Sequence, residues 1–155
     1  MRIVGNGRMI TRDVSCPFLE DGAVVMDGNK IIEVGQTKDI KQAYKEAEYI
    51  DAKGGVIMPA FINAHEHIYS AMARGLSING YDPKGFLDIL DGMWWTIDRN
   101  LSPEQILQSA RATYIDSIKN GVTTVFDHHA SFGNITDSLF IIEEAAKELG
   151  VRSCL

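Results

Sequence analysis

Cysteine is scarce in this chain, with Cys16 and Cys154 the only two among 155 residues. They stand far apart, without CxxC or nearby histidine spacing, so neither a disulfide framework nor a structural zinc knuckle is expected and both read as reduced thiols. Long apolar runs are missing too. No stretch of about 18 or more apolar residues is present to span a bilayer, and Met1-Arg2-Ile3-Val4-Gly5-Asn6-Gly7 lacks the apolar core of a secretion signal. A cytoplasmic protein is the expectation. Positive charge is not in surplus either. Fifteen basic and 21 acidic residues, net −6, are interspersed, which leaves no basic stripe for nucleic acid and no polybasic patch for a membrane. The remainder, 45% hydrophobic and 23% charged, is an ordinary globular composition with enough apolar residues for a core.

Against that background one segment carries chemistry. His65-Glu66-His67 closes the apolar run Val56-Ile57-Met58-Pro59-Ala60-Phe61-Ile62-Asn63-Ala64. A β-strand sends successive side chains to opposite faces, so histidines at i and i+2 share a face roughly 6.6 to 7 Å apart. That spacing lets two imidazoles lean toward one metal ion at about 2.0 to 2.1 Å each, with Glu66 pointing the other way. Two histidines on a solvated strand end also occur by chance. The run's lack of period-2 alternation favours a strand buried on both faces in a parallel sheet, where residues at the C-terminal end are placed for catalysis.

Three textures follow one another along the chain. Residues 1–55 alternate short β-like runs, Ile3-Val4, Gly22 to Met26 and Lys30 to Val34, with turn residues; Asp27-Gly28 is a hairpin signal and a small antiparallel sheet is expected. A surface helix over Asp39 to Glu48 and a strand Tyr49-Ile50-Asp51 complete this zone. Residues 56 to about 100 hold the histidine strand and a long connection containing Arg74-Gly75, Met93, Trp94 and Trp95. A connection of that length reads as a lid or substrate loop, although adjacent tryptophans are more often packing residues.

After Asn100 the pattern becomes βα. Ser102-Pro103-Glu104-Gln105 reads as an N-cap followed by proline at the first helical position. The helix should run from Pro103 to about Lys119, with Asn120-Gly121 as its stop. Val122 to Phe126 is a β-branched strand ending in Asp127-His128-His129, and a second helix over Thr136 to Leu149 leads to a strand opening at Val151. The order β, α, β, α, β implies parallel strands with right-handed crossovers. Asp127, His128 and His129 then share a sheet end with His65 and His67, within reach of a metal or its substrate. Asp127 could orient a ligating histidine; a loop-capping aspartate beside two part-exposed histidines is the plain alternative.

These residues carry a family resemblance. Met58 to His67, followed by Arg74-Gly75-Leu76, resembles the first barrel strand of the amidohydrolase superfamily. Trp94-Trp95-Thr96-Ile97-Asp98-Arg99 and Asp127-His128-His129-Ala130-Ser131 resemble the SsnA-type aminohydrolases of its chlorohydrolase and deaminase branch. The resemblance implies an α/β fold: residues 1–55 as part of a composite β-sandwich domain, and 56–155 as the first two βα units and third strand of a (β/α)₈ TIM-type barrel. It implies one divalent ion, Zn²⁺ or Fe²⁺, on His65 and His67, with two more histidines and an aspartate from later strands. Closing such a barrel takes about 250 residues, so the chain reads as an N-terminal fragment, inactive alone. Ala60 stands where the family usually has glycine, and Ile97 stands where related nucleoside deaminases have a substrate-binding glutamate, with Asp98 one position later. Adenosine-like substrates are therefore not supported.

The chemistry so implied for the intact protein is hydrolysis of a C–N bond in a small cyclic amidine or amide by a metal-activated water. His128 and His129 are the candidate catalytic groups, Trp94, Trp95 and Arg74 the candidate substrate contacts, and Asp127 their supporting carboxylate. The expected partner is a small molecule, with a homodimer compatible with the resemblance. A barrel relative without catalysis, a βα interaction module, and a chloride or amide hydrolase of the same branch are the competing readings.

Overall fold

The computed structural model describes residues 1–155, which divide into two units, Met1–Pro59 and Ala60–Leu155. The break falls at Pro59, inside the apolar run. That run forms two strands, β5 (Val56–Ile57) in the first unit and β6 (Phe61–Glu66) in the second. Proline has no N–H to give a ladder, and the Phe61 N–H resumes pairing by donating to the Gly121 carbonyl at 2.9 Å.

The first unit is a five-stranded sheet in the order β3-β2-β1-β4, with β5 also on β1. Strand β1 covers Arg2–Ile10, β2 Phe18–Asp27, β3 Lys30–Gln36 and β4 Glu48–Asp51. Strands β1, β2 and β3 are antiparallel, whereas β4 and β5 lie parallel to β1. The all-antiparallel expectation fails because α1 (Thr37–Ala43) carries the chain across the sheet before it returns beside β1. Helix α1 also ends earlier than its apolar spacing suggested. Tyr44 leaves the helix at φ −119° and, with Ala47 and Tyr49, packs on the core of Ile3, Ala23, Val25 and Ile40.

Strand β1 is longer than its two apolar residues predict. Gly5 and Gly7 interrupt the pattern but not the strand, since there neighbours crowd the backbone. A Cβ on Gly7 would come within 2.8 Å of the Ile57 side chain, so glycine marks a close approach rather than a turn. The hairpin turn is Gly28-Asn29, between the paired residues Asp27 and Lys30, and Gly28 takes φ +57°, which suits glycine.

The second unit contains three parallel strands, β6, β7 (Val122–Asp127) and β8 (Arg152–Cys154), in that order. Two helices make the crossovers: α4 (Pro103–Lys119) between β6 and β7, and α5 (Ser138–Leu149) between β7 and β8. Helix α4 begins as its sequence dictates. Ser102 accepts from the Gln105 N–H at 3.2 Å while the Gln105 amide oxygen accepts from the Ser102 N–H at 2.8 Å, a reciprocal box with proline at the first turn. Helix α5 begins two residues later than predicted because Asp137 takes a left-handed conformation, φ 62°. Ile106, Ala110 and Tyr114 from α4, Ile142 and Ala145 from α5, and Val125 from β7 close into one core with Ile68.

The connection from β6 to α4 is mostly helical, not the open loop expected. It holds a 3₁₀ helix (Ile68–Ala73), α2 (Phe86–Ile89), a π turn (Leu90–Trp94) and α3 (Trp95–Asn100). Asp88 starts α2 by accepting from the Lys84 and Gly85 N–H groups at 2.8 and 3.0 Å. Both tryptophans are thereby held on a helical segment.

Candidate metal centre

β6 carries His65 near its C-terminal end, where Glu66 pairs with Asp127 of β7, and His67 follows one residue beyond the strand, at the start of the 3₁₀ helix. Local hydrogen bonds set the strand end. The Asn63 side-chain oxygen accepts from the His65 N–H at 3.3 Å, and Glu66 accepts from the Asn63 amide at 2.8 Å and the His67 N–H at 3.0 Å. Glu66 is thus occupied by the Asn63 side chain and the His67 N–H, apart from the imidazoles.

The two rings meet edge to face, with centroids 4.9 Å apart and their Nε2 atoms separated by 3.1 Å. His67 Nδ1 lies 2.9 Å from the His128 carbonyl oxygen. A carbonyl only accepts, so Nδ1 carries the proton and Nε2 presents its lone pair. This tautomer is the one a ligating histidine uses, fixed by an outer hydrogen bond. Two nitrogen ligands at about 2.0 to 2.1 Å in tetrahedral geometry lie about 3.3 Å apart, which the observed separation nearly matches. The pair therefore fits a divalent ion. No group of three histidine, cysteine or acidic side chains converges here.

Asp127 sits beside the pair but does not bond an imidazole. Its Oδ1 accepts the Ile68 N–H at 2.8 Å, tying down the backbone just after His67, while its buried Oδ2 has no partner. Burial pushes its carboxyl above the ordinary carboxylate range, against the pull of the Ile68 hydrogen bond and of His67. The outer acceptor for His67 is instead the main chain of His128, a role that residue identity cannot reveal.

The neighbouring histidines separate. The His128 ring lies 5.3 Å from that of His67 and 6.4 Å from that of His65. His129 takes its own environment, with Nε2 2.6 Å from the buried Ser131 hydroxyl and its ring 5.2 Å from Tyr69. Burial lowers the His129 pKa and favours the neutral ring.

Trp94 and Trp95 both line a cavity of about 480 Å³ with His67, Tyr69, Asp98 and His128. The Trp94 ring lies 6.1 Å from His67, and the Arg99 guanidinium lies 6.0 Å from the Trp95 ring. Arg74 lines a different cavity of about 640 Å³, beside Glu66, His67 and Trp94. Its guanidinium pairs with Asp116 at 3.2 Å, with both side chains largely exposed.

Sequence reasoning missed Tyr69. It is buried, stands edge-on to His67 and His129, and interacts through its hydroxyl with Asp98. Nothing in spacing signals this. Asp98 had a signal, since it follows Trp94 by four residues in a helical segment and so falls on the same face.

Three parallel strands joined by helices, with paired histidines where the first of them ends, make up a βα scaffold of the kind that α/β barrels repeat. The sequence model of the Amidohydrolase family matches residues 56–155, and the chain belongs to that family. It is similar to the 5′-deoxyadenosine deaminase of Methanococcoides burtonii, at 31% identity over 99% of this chain and 32% of that protein. It is also similar to the 5-methylthioadenosine/S-adenosylhomocysteine deaminase of Thermococcus sibiricus, at 33% identity over 99% of this chain and 32% of that protein. Among solved structures, a mutant of atrazine chlorohydrolase TrzN from Arthrobacter aurescens TC1, complexed with zinc and atraton, superposes with a TM-score of 0.81. It is 30% identical, and the match covers 99% of this chain and 34% of that one. The chain thus spans about a third of the length of these relatives. No helix is long and apolar enough to cross a membrane.

Proposed function

We propose that the intact protein is a metal-dependent hydrolase acting on a C–N bond of a small, planar nitrogen heterocycle, with deamination as its reaction. The observation that carries this reading is the convergence of the His65 and His67 Nε2 atoms, 3.1 Å apart. His65 and His67 would hold one divalent ion, zinc first and iron as the alternative, whose chemistry when bound is to lower the pKa of a water so that hydroxide is available near neutral pH.

The chain's own groups account for the rest. The His128 carbonyl keeps the proton of His67 on Nδ1. Asp127 holds the Ile68 N–H and so fixes the chain leaving the strand. The His128 ring borders the same cavity as Trp94 and Trp95, placed to exchange a proton with the leaving amine while the indoles cover the heterocycle and exclude water. His129, bonded to Ser131 and shielded, supports that wall through Tyr69. Two imidazoles fall short of the three ligands typical of a catalytic zinc site, so these 155 residues are expected to show no turnover alone.

The relatives named for 5′-deoxyadenosine favour an aminated purine, while Ile97 stands where a nucleoside-binding glutamate was expected. The class common to the named relatives is the substituted nitrogen heterocycle. The same reading carries a cytoplasmic location and a homodimeric assembly as expectations, checked by fractionation and light scattering.

The test is metal analysis of the purified intact protein beside ammonia release from 5′-deoxyadenosine and guanine. His65→Ala should reduce bound zinc at least tenfold and abolish turnover. Unchanged metal content in that variant would overturn the assignment.

A further inference from the structure

The helical segment that carries the tryptophans contains a π turn, Leu90–Trp94, which closes when the Trp95 N–H donates to the Leu90 carbonyl five residues back. Such turns are rare and occur mostly singly inside helices, frequently at functional sites. The consequence here is which way each side chain faces. At about 100° per residue, a regular helix would set Trp95 about 140° around from Leu90 and about 180° from Phe86. Yet Phe86, Leu90, Trp94, Trp95 and Asp98 all line the 480 Å³ cavity. Closing the turn over five residues instead of four brings Trp95 back over Leu90, and both indoles reach one wall.

Gly92, the middle residue of the turn, shows what holds it. Glycine inside a helical segment costs about 1 kcal/mol relative to alanine, and here the space a side chain would need is taken. A Cβ on Gly92 would stand 2.8 and 3.1 Å from two carbons of the Tyr81 ring, so that ring lies against the main chain of the π turn. It has little room to give. The Tyr81 hydroxyl is buried without a hydrogen-bond partner, and the Tyr81 N–H donates to the Ile78 carbonyl at 3.2 Å, closing a turn through Gly80. Packing of the ring, not a polar contact, is therefore what Tyr81 supplies. Trp94 is the residue so aimed: its ring lies 6.1 Å from that of His67, tilted by 43°, and it lines both the 480 and the 640 Å³ cavities.

We propose that Tyr81 and Gly92 are positioning residues for the metal centre: the tyrosine ring, seated where glycine leaves the main chain bare, holds Leu90–Trp94 in the π form and so keeps Trp94 beside His67 and Trp95 on the same cavity wall. Neither residue lines either cavity; both act through the indoles. The proposal rests on the hydrolase reading for what the indoles cover, and not for how they are placed.

The experiment is fluorine NMR of the intact protein labelled with 5-fluorotryptophan, the two resonances assigned by Trp94→Phe and Trp95→Phe, recorded with Zn²⁺ and with paramagnetic Co²⁺. Cobalt held by His65 and His67 should broaden the Trp94 resonance more than that of Trp95, because only Trp94 is in ring contact with His67. Gly92→Ala and Tyr81→Ala should shift the Trp94 resonance and lose most of that broadening. Tyr81→Phe keeps the ring and removes only an unbonded hydroxyl, so it should retain both. Ile142→Val, a core change of roughly 0.5–1.5 kcal/mol, is the control for general loosening and should also retain both. An unchanged Trp94 resonance in Gly92→Ala overturns the proposal, as does loss of the broadening in Tyr81→Phe or an equal loss in Ile142→Val. A protein that retains no cobalt overturns the metal reading instead; the metal-free Trp94 resonance then decides the positioning role, since Gly92→Ala must still shift it and Tyr81→Phe must not.

Discussion

The loop after β7 is held against the end of α3 by one residue without a side chain. A Cβ built on Gly133 would stand 2.8 Å from the Arg99 carbonyl carbon and closer still to its oxygen. The obstacle is main chain, so no rotamer change relieves it. Gly133→Ala must therefore push the loop off α3, at an overpacking cost of roughly 1–3 kcal/mol. It must also weaken the hydrogen bond from the Gly133 N–H to the Asp98 carbonyl, which at 3.3 Å contributes near the low end, about 0.5 kcal/mol. Together these amount to roughly 1.5–3.5 kcal/mol of local stability, or amide exchange faster by roughly 10- to 400-fold for opening-limited amides. Hydrogen exchange read by mass spectrometry on peptides covering 95–101 and 131–134 would show it. Gly35→Ala is the control, since its Cβ would meet Ile40 at an ordinary 3.5 Å, and those peptides should not change. Exchange in 95–101 within threefold of wild type would refute the close approach, and with it the account of how Asp98 is held.

Three further outcomes are expected. Ile142→Ala empties a fully buried position between α4 and β7 and should cost roughly 2–5 kcal/mol in urea unfolding; a loss below 1 kcal/mol would mean the α5 core is loosely packed. Ser102→Ala removes the side-chain acceptor for the Gln105 N–H and should cost about 1 kcal/mol, seen as a lower urea midpoint at constant slope. Asp98 has a folded-state pKa raised by burial, with Tyr69, His67 and Arg99 pulling it down. Its protonated form therefore favours folding, a contribution complete below the unfolded value of about 3.9 and lost as pH rises through the folded one. Asp98→Asn should accordingly raise the melting temperature at pH 7 and leave it unchanged near pH 3.5, and an effect equal at both pH values would refute burial as the cause.

How much of this was legible depends on how local each signal is. Helix α4 was readable to the residue at both ends, because Ser102, Pro103 and Gln105 act within one turn and Asn120-Gly121 stops it. Strand β7 was readable from Val122 to Phe126 for the same reason. The apolar run before His65 was misread as one strand, since hydrophobicity alone does not show that Pro59 divides it between two units. Strand β1 was underestimated because Gly5 and Gly7 answer to the closeness of Ala23 and Ile57, contacts made across the sheet. Helix α1 was overextended because Tyr44 and Ala47 serve the core from outside the helix.

The candidate site divides in the same way. The sequence by itself determined that His65 and His67 share a strand face and that Asp127, His128 and His129 arrive at the same sheet end, since strand periodicity and βα order are properties of neighbouring residues. Tertiary structure alone decided that the His128 main chain, and not Asp127, holds the proton of His67, and that His128 and His129 part company. It alone brought Tyr69 to Asp98 and set Asp98 into the cavity wall. Each of these contacts joins residues about 30 to 60 positions apart, and such pairs are brought together by the packing of helices on a sheet, which no local pattern encodes.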